Sequence, residues 1–147
     1  MSTKNQINKG VFIILLLLLG NFGLLFGQGK LLHLLTEYQT NPIGLDVEKP
    51  RFSWQMANLP NQFGQKQTAY QIIVTDEQNQ IVWDSQKKES DISLGIVYEG
   101  AALKPTTKYN WVLKVWNEKG QELKANANFE TGLKNPGLEA WAGGTWI

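Results

Sequence analysis

An antiparallel β-sandwich is the fold that this sequence predicts, on the basis of three observations. Several short segments between residues 31 and 131 alternate apolar and polar residues, which is the pattern of a strand with one buried face. Turn-forming residues separate these segments, and no stretch has the apolar period of a helix. The third observation is Tyr109, which follows Leu103 and Pro105 at the start of a late strand, as tyrosines do at sandwich corners.

The first three strands are expected over residues 31–35, 51–56 and 70–74. The first is a run of leucines, and a turn containing Asn, Pro and Gly follows it at 41–44. The second comes directly after a proline and alternates Phe, Trp and Met with polar residues. A loop rich in Asn, Gln, Pro and Gly over 57–66 separates it from the third strand, in which Tyr, Ile and Val alternate.

Four further strands complete the predicted fold, over residues 81–85, 92–98, 109–116 and 125–131. A charged stretch at 87–91 is expected to be solvated, and a hairpin turn at 118–121 joins the last two strands. Seven short strands separated by frequent turns favour an all-β chain, namely an antiparallel sandwich of the immunoglobulin/fibronectin type III-like class.

The residues before Tyr109 predict one specific corner of this sandwich. In immunoglobulin and fibronectin type III domains, a tyrosine near the start of strand F bonds through its hydroxyl to backbone a few residues upstream. We therefore expect Tyr109 to be buried, with its hydroxyl bonded to the backbone between Leu103 and Thr106. Trp54, in the second strand, fits the buried tryptophan on strand B of the fibronectin type III fold.

Residues 1–27 have the organisation of a secretory signal peptide. Lys4 and Lys9 give a basic start, residues 11–26 are largely apolar, and the small Gly27 precedes a polar residue. The apolar stretch is shorter than the roughly 20 residues that span a bilayer. We expect cleavage after Gly27 and export to the periplasm or the extracellular space. The alternative is an uncleaved leader, which would attach the protein to the membrane.

The composition excludes several classes of function. The net charge of the whole chain is +1. Without the two leader lysines the chain has 12 basic and 13 acidic residues, a net charge of −1. Neither value supports binding to nucleic acid. The absence of cysteine excludes disulfides, thiolate metal sites, a cysteine nucleophile and a lipoprotein anchor. His33, the only histidine, is expected to point outward from the first strand, and it has no partners for a zinc site or a catalytic triad.

Three pairs of acidic residues are candidates for the two carboxylates that a hydrolase needs. The candidate pairs are Asp46 with Glu48, Asp76 with Glu77, and Glu89 with Asp91. All three fall in polar turns, where solvated carboxylates are expected, whereas a general acid needs a shielded cleft. We therefore predict no catalytic, cofactor-binding or metal-binding residue in this chain, and no cofactor.

The six tryptophans divide into core and non-core residues. Trp54, Trp83 and Trp111 share the strand parity of neighbouring apolar residues and are predicted to lie in the core. Trp116 has the opposite parity; contact with a following domain is our first interpretation, before a buried strand end and a carbohydrate platform. Trp141 and Trp146 lie beyond the last strand, where they would be exposed alone, and are expected to belong to the core of a following domain.

Six segments resemble, in order and spacing, the start of bacterial α-L-rhamnosidases of glycoside hydrolase family 78. They are PIGLD at 42–46, KPRFSW at 49–54, QTAYQI at 67–72, VWDS at 82–85, YNW with VW within 109–116, and FETGL at 129–133. The resemblance implies an N-terminal fibronectin-III-like domain over 30–133. Residues 134–147 would then be a linker and the start of a truncated following domain, because WAGGTWI is similar to the family's W-x-A-x-W-I pattern, with one additional position.

The same resemblance implies an enzyme that hydrolyses terminal α-L-rhamnose with inversion. Its two carboxylates, about 6.5–9.5 Å apart in inverting enzymes, would lie in a helical barrel beyond residue 147. On this hypothesis the chain is an inactive fragment whose partners are the downstream domains, contacted through Trp116, Trp141 and Trp146. A rhamnosylated glycan would be met only through the missing catalytic domain. The alternative is a free-standing exported adhesion or carbohydrate-binding module, which should end in polar residues rather than in this apolar tail.

Overall fold

The strands of this protein account for half of the residues that the computed structural model describes, which are 29–57 and 64–134. Eight strands lie in these ranges: β1 (Lys30–Thr36), β2 (Arg51–Ala57), β3 (Gln67–Thr75), β4 (Ile81–Asp84), β5 (Lys88–Glu89), β6 (Ile96–Val97), β7 (Lys108–Asn117) and β8 (Glu122–Glu130). None of the described residues belongs to a helix that could span a bilayer. The predicted leader and nearly all of the predicted linker lie outside the described residues.

Two sheets divide the strands between them. The first has the order β1-β2-β6, and the second has the order β4-β3-β7-β8, with β5 beside β3. All pairs are antiparallel, and β7 is paired along its length with β3 on one side and β8 on the other. This arrangement confirms the predicted immunoglobulin-like antiparallel sandwich.

Aromatic side chains from both sheets meet in the core. The ring of Phe52, in β2, lies 5.9 Å from that of Trp83, 4.8 Å from that of Trp111 and 6.1 Å from that of Phe129, between ring centroids. The side chain of Trp54 is also buried, and its indole Nε1 donates a hydrogen bond to Gln67 Oε1 at 2.8 Å. The prediction that Trp54, Trp83 and Trp111 are core residues is therefore confirmed. Burial of such large apolar surfaces is the main force that holds the two sheets together.

The predicted tyrosine corner is present. Tyr109 is 1% exposed, and its hydroxyl oxygen accepts a hydrogen bond from the backbone N–H of Lys104 at 2.8 Å. Its ring stacks on Phe129 with centroids 5.3 Å apart. The corner thus holds the loop before β7 against β7 itself. The same loop borders the cavity at this end of the sandwich.

Replacing Tyr109 by phenylalanine tests the corner. The ring and its stacking on Phe129 are retained, but the N–H of Lys104 loses its acceptor. We expect the free energy of unfolding to fall by about 1–2 kcal/mol, the usual cost of one lost hydrogen bond with a stranded partner. Urea unfolding followed by circular dichroism measures this change. An unchanged unfolding midpoint would mean that the hydroxyl does not stabilise the corner.

Two stretches differ from the expectation of solvated polar residues. β5 lies within residues 87–91, where no strand is predicted; its side chains are exposed, as expected, but its backbone pairs with Ala69 and Tyr70 of β3. Asp76, predicted to be a solvated carboxylate, is 4% exposed. Its Oδ1 accepts the backbone N–H groups of Gln78 at 3.0 Å and Gln80 at 2.9 Å, so the carboxylate is buried because it closes the turn.

A bulge in β1 is a further feature that the sequence pattern does not show. The pairing of β1 with β2 shifts between Leu32 and Leu35, and His33 within this shift has a φ of 49°. The side chain of His33 is exposed, as predicted. The extra residue re-aims the strand, so that Leu31 and Leu34 both pack on the core side although they are three positions apart.

Candidate interaction site at one end of the sandwich

A cavity of about 410 Å³ lies at the end of the sandwich where β2 and β7 begin and β8 finishes. We call this the β8 end. Two acidic side chains, Asp46 and Glu48, and two basic ones, Lys49 and Lys134, line the cavity together with Tyr98 and residues 100–103. The formal charges in its wall therefore cancel. Three segments that are distant in sequence build this cavity, and strand pairing brings them together.

Tyr98 and Gly100 shape the inner wall. The backbone N–H of Tyr98 donates to the carbonyl of Pro50 at 2.9 Å, and its hydroxyl donates to the carbonyl of Ala101 at 2.7 Å. Burial raises the pKa of Tyr98 to about 12, with a smaller effect from Tyr109, so the phenol is neutral at physiological pH. A Cβ at position 100 would lie 2.5 Å from Tyr98 Oη and from Trp83 Cβ, so only glycine allows this close approach.

The chain leaves β8 along a fixed path beside this cavity. The backbone N–H of Gly132 donates to the carbonyl of Leu45 at 2.9 Å, and that of Lys134 donates to Asp46 Oδ1 at 2.8 Å. A Cβ at position 132 would overlap with Asp46 Oδ1. Burial lowers the pKa of the Lys134 ammonium group, against an opposing effect from Glu48 and Asp46. The residues after Lys134 therefore begin at the cavity wall.

Exposed apolar side chains concentrate at the β8 end. The described residues include seven exposed large hydrophobic side chains, and five of them are at this end: Tyr38, Ile43, Val47, Ile81 and Val97. Their place follows from the pairing, since Ile81 faces the last residue of β3 and Val97 faces the first residue of β2. Exposed hydrophobic residues scattered singly are ordinary, whereas five of them at one end of the domain make this end the candidate interaction surface.

An ion pair borders the same end. The guanidinium group of Arg51 bonds to Glu37 at 2.7 Å and 3.1 Å and lies 5.0 Å from the centre of the Tyr38 ring. The hydrogen bond from Arg51 lowers the pKa of the Glu37 carboxyl group. Because Arg51 is partly exposed, this ion pair adds little to the stability of the domain. Its charges instead contribute to the specificity of the surface at the edge of the β8 end.

The three candidate acidic pairs differ in their surroundings. Glu89 and Asp91 are exposed, and Glu77 is an exposed side chain whose Oε1 accepts the backbone N–H of Lys108 at 3.2 Å. Asp46 and Glu48 do reach the cavity, but Oδ1 of Asp46 is engaged by the backbone of Lys134. Within residues 29–57 and 64–134, no group of His, Cys, Asp and Glu side chains is placed to hold a metal ion.

Trp116 lies far from this cavity. It is half-buried on the outer face of the second sheet, where it faces the fully buried Ala69 on β3 and Glu122 on β8. The ammonium group of Lys87 sits 4.7 Å from the centre of its ring. With β7 rising about 3.3 Å per residue, some 25 Å separates Trp116 from the β8 end. Its predicted contact with a following domain stays a prediction, and Trp141 and Trp146 lie outside the described residues.

The sequence pattern predicted Asp46 and Glu48 only as solvated turn carboxylates, and it did not bring them together with Tyr98 and Lys134. Lys49, Tyr98 and Gly100 are polar or small residues of ordinary loops, and nothing in their local pattern marks them. A weak signal was available in Ile43 and Val47, which are apolar residues at positions predicted to be turns. Only the strand order places these loops beside one another.

Comparison with known proteins gives the family of this domain. Residues 31–135 match the family model described as the Rha78A-like, N-terminal immunoglobulin domain. An α-L-rhamnosidase of Streptomyces avermitilis is 40% identical over 117 residues, which cover 76% of this chain and 11% of the relative. One from Formosa agariphila is 37% identical over 117 residues, which cover 74% of this chain and 12% of the relative.

A solved structure agrees with these sequence relatives. The crystal structure of the Streptomyces avermitilis α-L-rhamnosidase complexed with L-rhamnose has a TM-score of 0.69 and 36% identity, over 78% of this chain and 11% of that one. The chain thus spans about a tenth of the length of the rhamnosidases that it matches. It belongs to the family of Rha78A-like N-terminal immunoglobulin domains.

Proposed function

We propose that this chain is the N-terminal accessory domain of an exported α-L-rhamnosidase and that its role there is structural. The observation that carries the proposal is the match of residues 31–135 to a domain that is N-terminal in its family. The relatives of this chain are α-L-rhamnosidases, and the chain covers only 11–12% of their length. The hydrolysis of terminal α-L-rhamnose would then be carried out by another part of the enzyme. The leader-like residues 1–27 support export.

A packing role agrees with the chemistry of the described surface. Catalysis by general acid and base needs carboxyl groups in a shielded cleft, whereas the acidic side chains of the three candidate pairs are exposed or, in Asp76, engaged by backbone N–H groups. The domain instead offers apolar groups for contact. We propose that Trp116 and Trp146 contact the downstream domains of the same enzyme.

A free-standing carbohydrate-binding module is the competing function. Such modules bind sugars on an open aromatic face. Trp116 is the one tryptophan of the described residues that is not in the core, and Lys87 covers one face of its ring. This observation favours the structural role.

Activity measurements on the isolated chain test the proposal. We expect residues 28–147 to release no nitrophenol from a nitrophenyl α-L-rhamnoside above the rate of a heat-denatured sample, because the carboxylates of the three candidate pairs are exposed to water or engaged by backbone N–H groups. Turnover that a single Asp or Glu substitution abolishes would overturn the proposal. The whole Streptomyces avermitilis enzyme serves as the positive control for the assay.

A chimera supplies the positive arm of this test. Residues 31–134 replace the matching N-terminal segment of the Streptomyces avermitilis enzyme. We expect the chimera to hydrolyse the rhamnoside, and we expect an enzyme lacking the segment altogether to be less stable to heat. A chimera no more stable than the deletion variant would contradict a packing role for this domain.

A further inference from the structure

The described part of the chain ends at the β8 end, where Lys134 lines the cavity. Lys134 forms part of the cavity wall, and Asp46 Oδ1 holds its backbone N–H at 2.8 Å. Trp141 is seven positions further on, and an extended chain covers at most about 3.6 Å per residue. Every part of the cavity is therefore within reach of its indole, over a short loop whose closure costs little entropy.

The composition of the following segment suits this surface. Residues 135–147 contain Leu138, Trp141, Trp146 and Ile147, and their only charged side chain is Glu139. The cavity has a wall of balanced charge with apolar residues beside it, such as Val47 and Leu103. A neutral apolar side chain adds no net charge to this wall and covers apolar surface such as that of Leu103.

The size of the cavity selects a large side chain. Its volume of about 410 Å³ lies within the range of sites that hold small ring systems. Trp141 is the first large aromatic residue after Lys134, so its indole reaches the cavity over the shorter connection.

Resting on the proposed function, we propose that residues 135–147 dock on the β8 end and that the indole of Trp141 occupies the cavity beside Tyr98 and Leu103. The contact fixes the direction in which the chain continues. Trp146 is then left to pack within the next domain. The accessory domain would in this way set the orientation of the part of the enzyme that follows it.

Nuclear magnetic resonance of residues 28–147 tests the docking directly. The six tryptophan indole N–H groups are labelled with ¹⁵N, and Trp141→Phe identifies the signal of Trp141. We expect nuclear Overhauser contacts from the Trp141 indole to the methyl groups of Ala101, Ala102 or Leu103. Their absence in the unsubstituted protein would overturn the proposal.

Two matched variants locate the contact. Ala102→Glu places a charge on an exposed residue of the cavity wall, and Leu94→Glu places the same charge on a residue that is 67% exposed beside the middle of β2. We expect loss of the Trp141 contacts in the first variant and their retention in the second. Retention in Ala102→Glu, while the β7 and β8 amide signals stay in place, would overturn the proposal.

Dilution separates docking within the chain from association of two copies. We expect the contacts to persist on dilution, and contacts that disappear would assign the surface to a second copy and overturn the proposal. No catalysis is measured in this experiment, so it is independent of the assay on the chimera. An inactive chimera with a docked Trp141 would reject the rhamnosidase role alone.

Discussion

Replacing Phe52 by alanine is expected to lower the free energy of unfolding by about 3–5 kcal/mol. The side chain of Phe52 is fully buried, and its ring contacts the rings of Trp83, Trp111 and Phe129. Since Phe52 comes from the first sheet and these three partners come from the second, its removal leaves a cavity between the sheets. The rigid rings around that cavity cannot collapse to fill it, which places the expected loss in the upper range for such substitutions.

Urea unfolding followed by far-ultraviolet circular dichroism measures this effect. Phe52→Leu, which retains most of the volume, should cost less than the alanine variant. Val97→Ala is the matched control in the first sheet because Val97 is 44% exposed, and its cost should stay within about 0.5 kcal/mol. A loss below about 1 kcal/mol for Phe52→Ala would mean that the two sheets do not depend on this contact.

The fold could be predicted from the sequence because each side of a strand faces a different environment. Alternation in β2, β3, β4 and β7 reports directly which residues face the core, and it identified Trp54, Trp83 and Trp111. The corner at Tyr109 was equally predictable, since its geometry is local: the hydroxyl reaches a backbone group only five residues upstream. In both cases the determining contacts leave a pattern in neighbouring residues.

The features that escaped prediction depend on partners that are distant in sequence or on the backbone alone. β5 exists because its backbone pairs with Ala69 and Tyr70, and its two side chains are charged and exposed. Asp76 is buried because the turn supplies two N–H groups to its carboxylate. In the sequence, Asp76 looks the same as an aspartate in a solvated turn. The bulge at His33 inserts one residue without changing the apolar composition of β1.

The candidate site escaped prediction for a related reason. Asp46, Tyr98 and Lys134 belong to three loops whose proximity follows from the strand order. Exposed apolar residues such as Ile43 and Ile81 are ordinary when taken singly, and their concentration at the β8 end emerges only when both sheets are assembled. The resemblance to rhamnosidases predicted that a partner follows and suggested Trp116, Trp141 and Trp146 as its contacts, but it did not point to the β8 end.

Replacing Gln67 by methionine is expected to destabilise the domain by about 2–3 kcal/mol, mainly through the stranded N–H of Trp54. Gln67 Oε1 accepts this indole N–H at 2.8 Å, and Gln67 Nε2 donates to the carbonyls of Ser90 at 3.0 Å and Ile92 at 2.9 Å. Methionine has a similar length but cannot make these bonds. The two carbonyls are only partly buried and can bond to water, whereas the indole N–H faces the core and cannot.

A double-mutant cycle with Trp54→Phe isolates this contact. Phenylalanine has no N–H group, so Gln67→Met should cost clearly less in the Trp54→Phe protein than in the unsubstituted one. Gln71→Met is the matched control: Gln71 donates to Asp84 at 2.8 Å on the half-exposed outer face, and its loss should cost less than about 1 kcal/mol, since water replaces the bond. Far-ultraviolet circular dichroism during urea unfolding provides the free energies. Equal costs of Gln67→Met in both backgrounds would show that the stranded indole is not the cause, and would assign the loss to the carbonyls of Ser90 and Ile92 instead.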